Sequence, residues 1–351
     1  MNSWKDNVRT VVPYVPGEQP KRRVIKLNTN ENPYPPSPKV AEAIGRMDYE
    51  MLRKYPDPEA SELTDAISEV YGVAGDRIFV GVGSDDVIGM AFLTFFAGQK
   101  PVLFPDITYS FYDVWAELFR IPYRQIPLRD DMTVNPEDYY TENGGIILAN
   151  PNAPTSIAMP AQAIRGILER NPNSVVIVDE AYVDFGGESC LPMIDEFDNL
   201  LVVQTYSKSR SMAGVRIGFA MGSKDLIDAM KAVKFAYNSY TMNSQVIAMG
   251  AASMRDVEYW KETVAKVIRT REATIPRLRE LGFSILPSSA NFVFATHNTV
   301  PAAVIFEELK KKDIFVRYWN KKRIDNYLRI TIGTDEEMDA LIAALRDIVG
   351  K

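Results

Sequence analysis

Seven short apolar runs, which alternate with amphipathic stretches, constrain the fold of this chain more than any other feature of its sequence. The runs are rich in valine, isoleucine and leucine and lie between residues 77 and 221: RIFVGV, KPVLF, YRQIPL, GGIILAN, SVVIVDE, NLLVVQTYS and VRIGFAM. Near-continuous apolar runs of this length indicate strands that are covered on both faces. The amphipathic stretches supply the covering helices. The pattern therefore predicts an open α/β sheet.

The last third of the chain has a different pattern, which predicts a second unit. A long helical stretch at 244–281 precedes shorter strands near 283–286, 291–296, 314–317 and 327–332. The opening is rich in proline, which denies hydrogen bonds to helices and central strands, so we expect an extended segment there. We divide the chain into an extended segment that joins the small domain (1–40), a large ligand-binding domain (41–240) and a small α+β domain (241–351).

The composition excludes several classes of function. Forty basic and 46 acidic residues give a formal net charge of −6, so no overall positive field favours nucleic acid or an anionic membrane. The single cysteine, Cys190, and the single histidine, His297, exclude an internal disulfide and a cysteine or multi-histidine metal site. The N-terminus lacks the apolar core of a signal peptide, and no apolar run is long enough to span a membrane. We expect a cytoplasmic protein without a metal ion, and we assign His297 no role.

Residues that follow the apolar runs carry the chemistry, because ligands of open α/β sheets gather beyond the carboxyl ends of the strands. TYSKSRSMAGVRIGF, at 205–219, places Lys208 at such an end. Lysine forms imines with aldehydes. Hydroxyls and a guanidinium nearby favour a phosphate site: Thr205, Ser207, Ser209 and Arg216. Taken alone, this stretch is more typical of a polar loop with a solvated lysine.

Four further strand ends carry groups that complement this lysine. Asp179 could pair with a protonated pyridine nitrogen, and Tyr182 follows three residues later. Capping of a helix is an equally typical use of such an aspartate. GVGSDDVIG, at 81–89, enters a helix whose free N–H groups can hold a phosphate. LANPNAPTS and FPDITYSFY offer polar groups and an aromatic plate, Tyr109, although most such segments are ordinary turns or packing. Together the five strand ends indicate one cofactor site.

The order of these motifs resembles the fold-type I aminotransferases that depend on pyridoxal 5′-phosphate (PLP), and among them the histidinol-phosphate aminotransferases. The resemblance covers essentially the whole chain, through NENP, KYPDPE, GSDD, TYSFY, NPNAPT, DEAY, SK, GVRIGF and LRITIGT. It implies an α/β fold in which a large PLP-binding domain has a mostly parallel mixed sheet covered by helices, beside a smaller α+β domain. It also implies a homodimer with shared active sites.

The resemblance further implies a role for each matching residue. Lys208 binds the cofactor covalently, Asp179 pairs with its pyridine nitrogen, Tyr182 contacts its phenolic oxygen and Tyr109 stacks on its ring. The remaining cofactor-binding residues are Ser84, Asp85, Asn152, Thr205, Ser207, Arg216 and, from the other subunit, Tyr55. The substrate-binding residues are Tyr14, Asn30, Arg317 and Arg329. For the two arginines, a surface ion pair is the more ordinary alternative.

The implied reaction is transamination between L-histidinol phosphate and 2-oxoglutarate, which gives imidazole acetol phosphate and L-glutamate in histidine biosynthesis. Aromatic aminotransferases and threonine-phosphate decarboxylases share the same cofactor residues, so both activities stay open as alternatives. A third alternative is a PLP-fold protein that has lost catalysis and serves as a binding module. The joint presence of Lys208, Asp179 and Arg216 argues against this third alternative.

Two segments depart from the family pattern. NPNAPTS stands where NPNNPTG is usual, so Ala153 replaces an asparagine expected to hydrogen-bond the phenolic oxygen, and Ser156 replaces a glycine. We expect weaker hydrogen bonding to that oxygen unless Asn152 compensates. Ser209 and Arg210 follow Lys208 where small apolar and aromatic residues are usual, a change that favours a reshaped pocket wall.

Overall fold

The computed structural model describes residues 4–350. Its strands are β1 (Ile25–Lys26), β2 (Ile78–Gly81), β3 (Val102–Pro105), β4 (Tyr123–Ile126), β5 (Gly145–Ala149), β6 (Val176–Asp179), β7 (Leu200–Thr205), β8 (Gly218–Gly222), β9 (Phe283–Ile285), β10 (Phe292–His297), β11 (Ile314–Phe315), β12 (Arg317–Tyr318) and β13 (Leu328–Thr331). Its α-helices are α1 (Pro38–Gly45), α2 (Ser61–Tyr71), α3 (Ser84–Phe95), α4 (Tyr112–Phe119), α5 (Ala161–Arg170), α6 (Lys224–Tyr237), α7 (Ser244–Arg255), α8 (Val257–Glu280), α9 (Ala302–Lys311) and α10 (Asp335–Val349). No helix in this part of the chain combines the length and hydrophobicity that crossing a bilayer requires.

The largest sheet has seven strands in the order β2-β8-β7-β6-β5-β3-β4. Strand β8 is antiparallel to both of its neighbours, and the other pairs are parallel. Each of the seven strands coincides with one of the seven apolar runs, although β3 and β8 each extend one residue beyond their run. The prediction of a mostly parallel mixed sheet covered by helices is therefore confirmed.

Helices cover both faces of this sheet, which explains why its strands are apolar without alternation. In β6, Val176 and Val178 pack on the face that α2, α5 and α7 cover, whereas Ile177 packs on the face of α3, α4 and α6. Every residue of β6 is buried. The edge strand β4 has a neighbour on one side only and exposes Arg124 and Gln125.

A second sheet, with the antiparallel order β12-β13-β10-β9, packs against α8, α9 and α10. The N-terminal segment reaches this unit, because β1 pairs in parallel with β11 through Ile25↔Ile314 and Lys26↔Phe315. The extended opening therefore contacts the C-terminal part of the chain. Domain boundaries at residues 40 and 240 stay a prediction.

Candidate active site

A cavity of about 230 Å³ lies beyond the carboxyl ends of β5, β6 and β7. The structure brings together there nine of the residues predicted to bind the cofactor: Ser84, Asp85, Tyr109, Asp179, Tyr182, Thr205, Ser207, Lys208 and Arg216. They come from four of the five strand-end segments of the sequence, and the fifth, LANPNAPTS, contributes Ala149 and Ala153 to the lining. Their convergence on one cavity follows from the parallel strands, whose carboxyl ends share one edge of the sheet.

Asp179 is the last residue of β6 and is only 5% exposed. Its Oδ2 accepts a hydrogen bond of 2.9 Å from the Tyr112 hydroxyl, and its Oδ1 accepts one of 3.2 Å from the Ala181 N–H. Burial raises the pKa of this carboxyl to about 6, since neutral donors offset only part of the desolvation. The next helical turn begins at Val183 with Tyr182 in the cap position, so Asp179 does not cap a helix. The carboxylate is therefore placed to receive a cationic partner from the cavity.

Arg216 lies beside the start of α3, and together they could hold a phosphate. Arg216 Nη2 lies 3.0 Å from Asp85 Oδ2, and its Nη1 donates to Ser207 Oγ at 3.4 Å. Helix α3 begins at Ser84 without a side-chain cap, so its first N–H groups stay free to donate. Gly83, which precedes it, has φ +84°, and a Cβ there would lie 2.5 Å from Arg216 Nη2. Only glycine lets the arginine approach this turn.

Lys208 projects into the cavity from the turn after β7. Its Nζ donates to the carbonyl of Thr29 at 3.2 Å and lies 5.7 Å from the centroid of the Tyr182 ring. The Asn32 amide donates to the Lys208 carbonyl at 3.1 Å, which fixes the turn from the side of the N-terminal segment. The amine therefore lines the cavity, and within residues 4–350 a backbone carbonyl is its one hydrogen-bond acceptor.

Tyr109 forms one wall of the cavity. Its hydroxyl donates to Asp85 Oδ1 at 2.8 Å, and its ring meets that of Tyr112 edge-on at 5.7 Å. Burial, with Asp85 beside it, holds the pKa of Tyr109 well above its ordinary value, so the phenol stays neutral. The ring is fixed by neighbours at its edge and can present a face to a planar ligand.

The four predicted substrate residues line a second cavity that adjoins the first: Tyr14, Asn30, Arg317 and Arg329. The two cavities share lining residues, among them Tyr109, Tyr182 and Lys208. The Asn30 amide donates to the Tyr182 hydroxyl at 2.9 Å, which joins the two groups of residues directly. The proposed substrate residues therefore lie beside Lys208.

Both arginines hydrogen-bond to backbone carbonyls. Arg329 Nη2 donates to Asn28 at 2.9 Å, and Arg317 donates to Val15 at 3.0 Å and to Pro16 at 3.3 Å. Within residues 4–350, neither guanidinium is in an ion pair with a carboxylate, so the surface ion-pair alternative does not describe them. Burial lowers the pKa of Arg329. Its Nε is buried and has no hydrogen-bond partner within residues 4–350.

Two predicted cofactor residues lie outside the first cavity. The Asn152 amide donates to Ile107 O and to Thr155 Oγ1, both at 3.0 Å, and its oxygen accepts from Thr108 at 2.7 Å. It is buried beside the cavity with its hydrogen bonds already made, while Ala153 lines the cavity in its place. Tyr55 is 82% exposed and stacks on Tyr240 with ring centroids 4.7 Å apart.

Arg210 does not form part of the pocket wall, so the expectation that it reshapes this wall is wrong. Its side chain is buried on the far side of the lysine turn, where it lies over the Trp260 ring at 4.5 Å and donates to Ser253 O at 3.2 Å. The reason is the turn itself, which directs Lys208 and Arg210 to opposite sides. His297 is buried and hydrogen-bonded to Leu281 and Val300, an ordinary core histidine.

Three further residues that line or contact the cavities had no role predicted from the sequence, although two of them lie inside the motifs NENP and TYSFY. Tyr112 reaches Asp179 from α4, and Glu31 lines the cofactor cavity in contact with Lys26 and Thr29. Trp319 lines the substrate cavity beside the two arginines. Only the three-dimensional approach of distant elements places these side chains, so spacing along the chain could not reveal them.

The sequence matches the aminotransferase class I and II family over residues 22–345. The chain therefore belongs to this family of PLP-dependent enzymes. Histidinol-phosphate aminotransferase of Clostridium beijerinckii is 50% identical to it over 347 residues, which are 99% of this chain and 97% of that protein. Histidinol-phosphate aminotransferase 1 of Hydrogenovibrio crunogenus is 51% identical over 347 residues, or 99% and 98% of the two chains.

Solved structures agree with this placement. Histidinol-phosphate aminotransferase from Sinorhizobium meliloti, in complex with pyridoxal 5′-phosphate, has a TM-score of 0.85 at 25% identity and covers 94% of this chain and 92% of that chain. The enzyme from Clostridium acetobutylicum has a TM-score of 0.86 at 20% identity over 93% and 99% of the two chains, and so shows the shared fold. Fold, enzyme class and cofactor are thereby confirmed.

The residues of the first cavity fit this cofactor. A primary amine suits its aldehyde, a buried carboxylate with only neutral donors suits its ring nitrogen, and Arg216 with the start of α3 suits its phosphate. The backbone of β8 lies close to the backbone at the start of α3, where a Cβ on Gly218 would lie 2.3 Å from the Ser84 nitrogen.

Proposed function

We propose that this aminotransferase transfers the amino group of L-histidinol phosphate to 2-oxoglutarate and yields imidazole acetol phosphate and L-glutamate. The observation that carries the proposal is the adjoining cavity, in which Arg317, Arg329 and Tyr14 lie beside Lys208. Two guanidinium groups and a phenol match a phosphate dianion, and the same groups can receive the distal carboxylate of glutamate. The two relatives that are about 50% identical to this chain are named for the same reaction.

Each of the predicted site residues has a defined part in this proposal. Bound PLP supplies an electron sink that weakens the bonds at the amine-bearing carbon of the substrate. With PLP bound, Asp179 would pair with its ring nitrogen, Tyr182 would donate to its phenolic oxygen, and Tyr109 would lie against its ring. Lys208 Nζ, as a free amine, would take the proton from the amine-bearing carbon of the substrate. Arg317 and Arg329 hold the acidic group of the substrate, so that this carbon faces Lys208.

Absorbance spectra of the purified protein test the proposal. We expect a visible band that collapses toward the near ultraviolet when L-histidinol phosphate is added and returns when 2-oxoglutarate follows. Lys208→Ala should lose this response, whereas the surface variant Lys224→Ala, whose lysine pairs with Asp228, should keep it. A visible band that does not change when histidinol phosphate is added would refute this substrate. A protein that stays colourless with PLP supplied would refute the catalytic role itself and favour the alternative of a binding module.

The same preparation separates the rival activities. Amino transfer requires 2-oxoglutarate, whereas decarboxylation of threonine phosphate releases carbon dioxide without it. Aromatic amino acids as donors test the third activity. We expect transfer from histidinol phosphate with the highest kcat/KM of the three amines, because neither rival substrate combines an imidazole with a phosphate.

We also propose a homodimer in which Tyr55 completes the partner's active site, and a cytoplasmic location suited to a chain whose single Cys190 is free and buried. Tyr55 lines neither cavity of its own chain. Tyr240, on which it stacks, is also exposed, and so are Tyr49, Leu52 and Tyr237, which lie within a few residues of Tyr55 or Tyr240 in the sequence. Exposed apolar side chains in such number are typical of a protein interface.

A further inference from the structure

The two arginines of the substrate cavity lie directly opposite each other on neighbouring strands. Strands β12 and β13 are antiparallel, and their register pairs Arg317 with Arg329. Like charges at directly opposite positions repel each other and destabilise a sheet. In the part of the chain that the structure describes, both hydrogen-bond only to backbone carbonyls. Something other than a carboxylate must therefore hold them together.

The indole of Trp319 lies against both guanidinium groups. The central carbon of Arg317 and that of Arg329 are each 5.2 Å from the centroid of the Trp319 ring. A cation within about 6 Å of an indole face is attracted by its negative potential, and a planar guanidinium also stacks on it. Phe292 adds a second ring 5.4 Å from Arg329. The aromatic rings thus supply the attraction that a carboxylate would otherwise provide, and the N–H groups that do not bond to backbone carbonyls remain for an anion.

Packing fixes the position of the indole. Trp319 is half-buried beside a cluster formed by Ile107, Leu128, Met132, Phe294 and Ile324. The first three come from loops around the seven-stranded sheet and the last two from the C-terminal unit. Trp319 also lines the substrate cavity together with Tyr14. The ring is therefore held between the two parts of the molecule at the mouth of the site.

We propose that Trp319 is a positioning residue, whose indole holds Arg317 and Arg329 side by side so that both bind one dianionic phosphate group. This inference rests on the proposed function, in which a phosphorylated amine is the substrate. A further observation supports it: among residues 4–350 Arg329 donates through Nη2 alone, to the Asn28 carbonyl, and its Nη1 is neither hydrogen-bonded nor buried, so a donor remains for a ligand.

Replacement of the ring should weaken binding without slowing the chemistry. Trp319→Met keeps much of the packing volume but removes the aromatic face. We expect KM for histidinol phosphate to rise about tenfold, a factor within the range of cation–π attraction at desolvated sites, with kcat changed less than about twofold. Trp319→Phe keeps an aromatic face of weaker potential and should recover most of the loss. The inhibition constant of inorganic phosphate should rise in parallel with KM.

The test uses the PLP-loaded enzyme, so that the cofactor's own phosphate site is filled. KM and kcat are measured for wild type, Trp319→Met and Trp319→Phe, and inorganic phosphate is titrated as an inhibitor with glutamate as the amino donor. Phe197→Met is the matched control, because Arg165 lies 5.3 Å from that ring far from either cavity. Unchanged phosphate inhibition in Trp319→Met, or a Phe variant no better than Met, would overturn the inference.

The phosphate titration also separates this inference from the proposed function. If wild type fails to turn over histidinol phosphate, the proposed substrate is wrong, yet phosphate inhibition of the glutamate reaction still reports on Trp319. If Trp319→Met does not fold, as judged by circular dichroism, Trp319→Phe alone decides the matter, since a weaker ring predicts a KM and an inhibition constant raised by about twofold to threefold.

Discussion

At the scale of single residues, the site depends on groups whose environment makes them unlike their counterparts in water. Asp179 is buried with one phenol and one N–H as partners, and Arg329 is half-buried, with its Nε buried and unpaired within residues 4–350. Both arrangements disfavour the charged form until a ligand of opposite charge arrives. The types and positions of the reactive residues were evident from the sequence, since Lys208 and Asp179 stand at the ends of apolar runs and Arg216 follows Lys208 in the same motif. Their burial and partners were not, because Tyr112 and Trp319 approach these residues only through the fold.

The raised pKa of Asp179 predicts a pH dependence of stability in the cofactor-free protein. The folded-state pKa is about 6 against an ordinary value of 3.8, so the folded state binds the proton more tightly. The proton on Asp179 therefore stabilises the folded protein. This contribution to the free energy of unfolding is fully present below about pH 4 and is lost as pH rises through about 6. The Asp179→Asn protein should not lose stability in this way as pH rises. The difference in unfolding free energy between the two proteins should therefore change by at most about 3 kcal/mol between the two pKa values. Urea unfolding at pH 4 to 7 measures it, and parallel pH profiles of the two proteins would contradict it.

At the scale of elements, the sequence predicted the strands of the central sheet well, because helices cover both faces and leave apolar runs. It did less well where elements are short or change partners. The strand predicted at 314–317 is two strands, β11 and β12, which pair with different sheets on either side of Val316. The helical stretch at 244–281 is divided at Asp256. Such interruptions depend on tertiary contacts that periodicity does not record.

The turn from β2 into α3 shows how one element end determines binding. A Cβ on Gly83 would meet Arg216 Nη2 at 2.5 Å, and φ +84° disfavours any other residue. Gly83→Ala should therefore displace the guanidinium and weaken PLP binding by about tenfold or more, the scale of one charge-assisted hydrogen bond. Titration of the cofactor-free protein with PLP, followed by absorbance, gives the dissociation constant. Gly98→Ala is the matched control, because its Cβ would meet nothing within 4 Å, and an equal loss there would reject this explanation.

At the scale of the whole molecule, the site lies where separate parts of the chain meet. The cofactor cavity is at the edge of the seven-stranded sheet, whereas Arg317 and Arg329 belong to the four-stranded sheet. The N-terminal segment joins both, since β1 pairs with β11 and the Thr29 carbonyl accepts from Lys208. The proposed substrate site thus includes residues of both sheets, and any motion between the sheets would change the distance from the arginines to the lysine.

A shared active site makes a prediction that only a dimer can satisfy. Lys208→Ala and Tyr55→Ala should each be nearly inactive alone. A hybrid dimer of the two contains one site with both an intact lysine and, from the opposite subunit, an intact tyrosine, because in a two-fold dimer each site takes Tyr55 from its partner.

Differently tagged variants are mixed in the unfolded state and refolded together, and the doubly tagged dimer is isolated. Its amino transfer should exceed the sum of the activities of the two parent dimers. If Tyr55 acted within its own chain, each site of the hybrid would lack one group and no activity would return. The exposed Tyr55, stacked on Tyr240 and outside both cavities of its own chain, favours restoration.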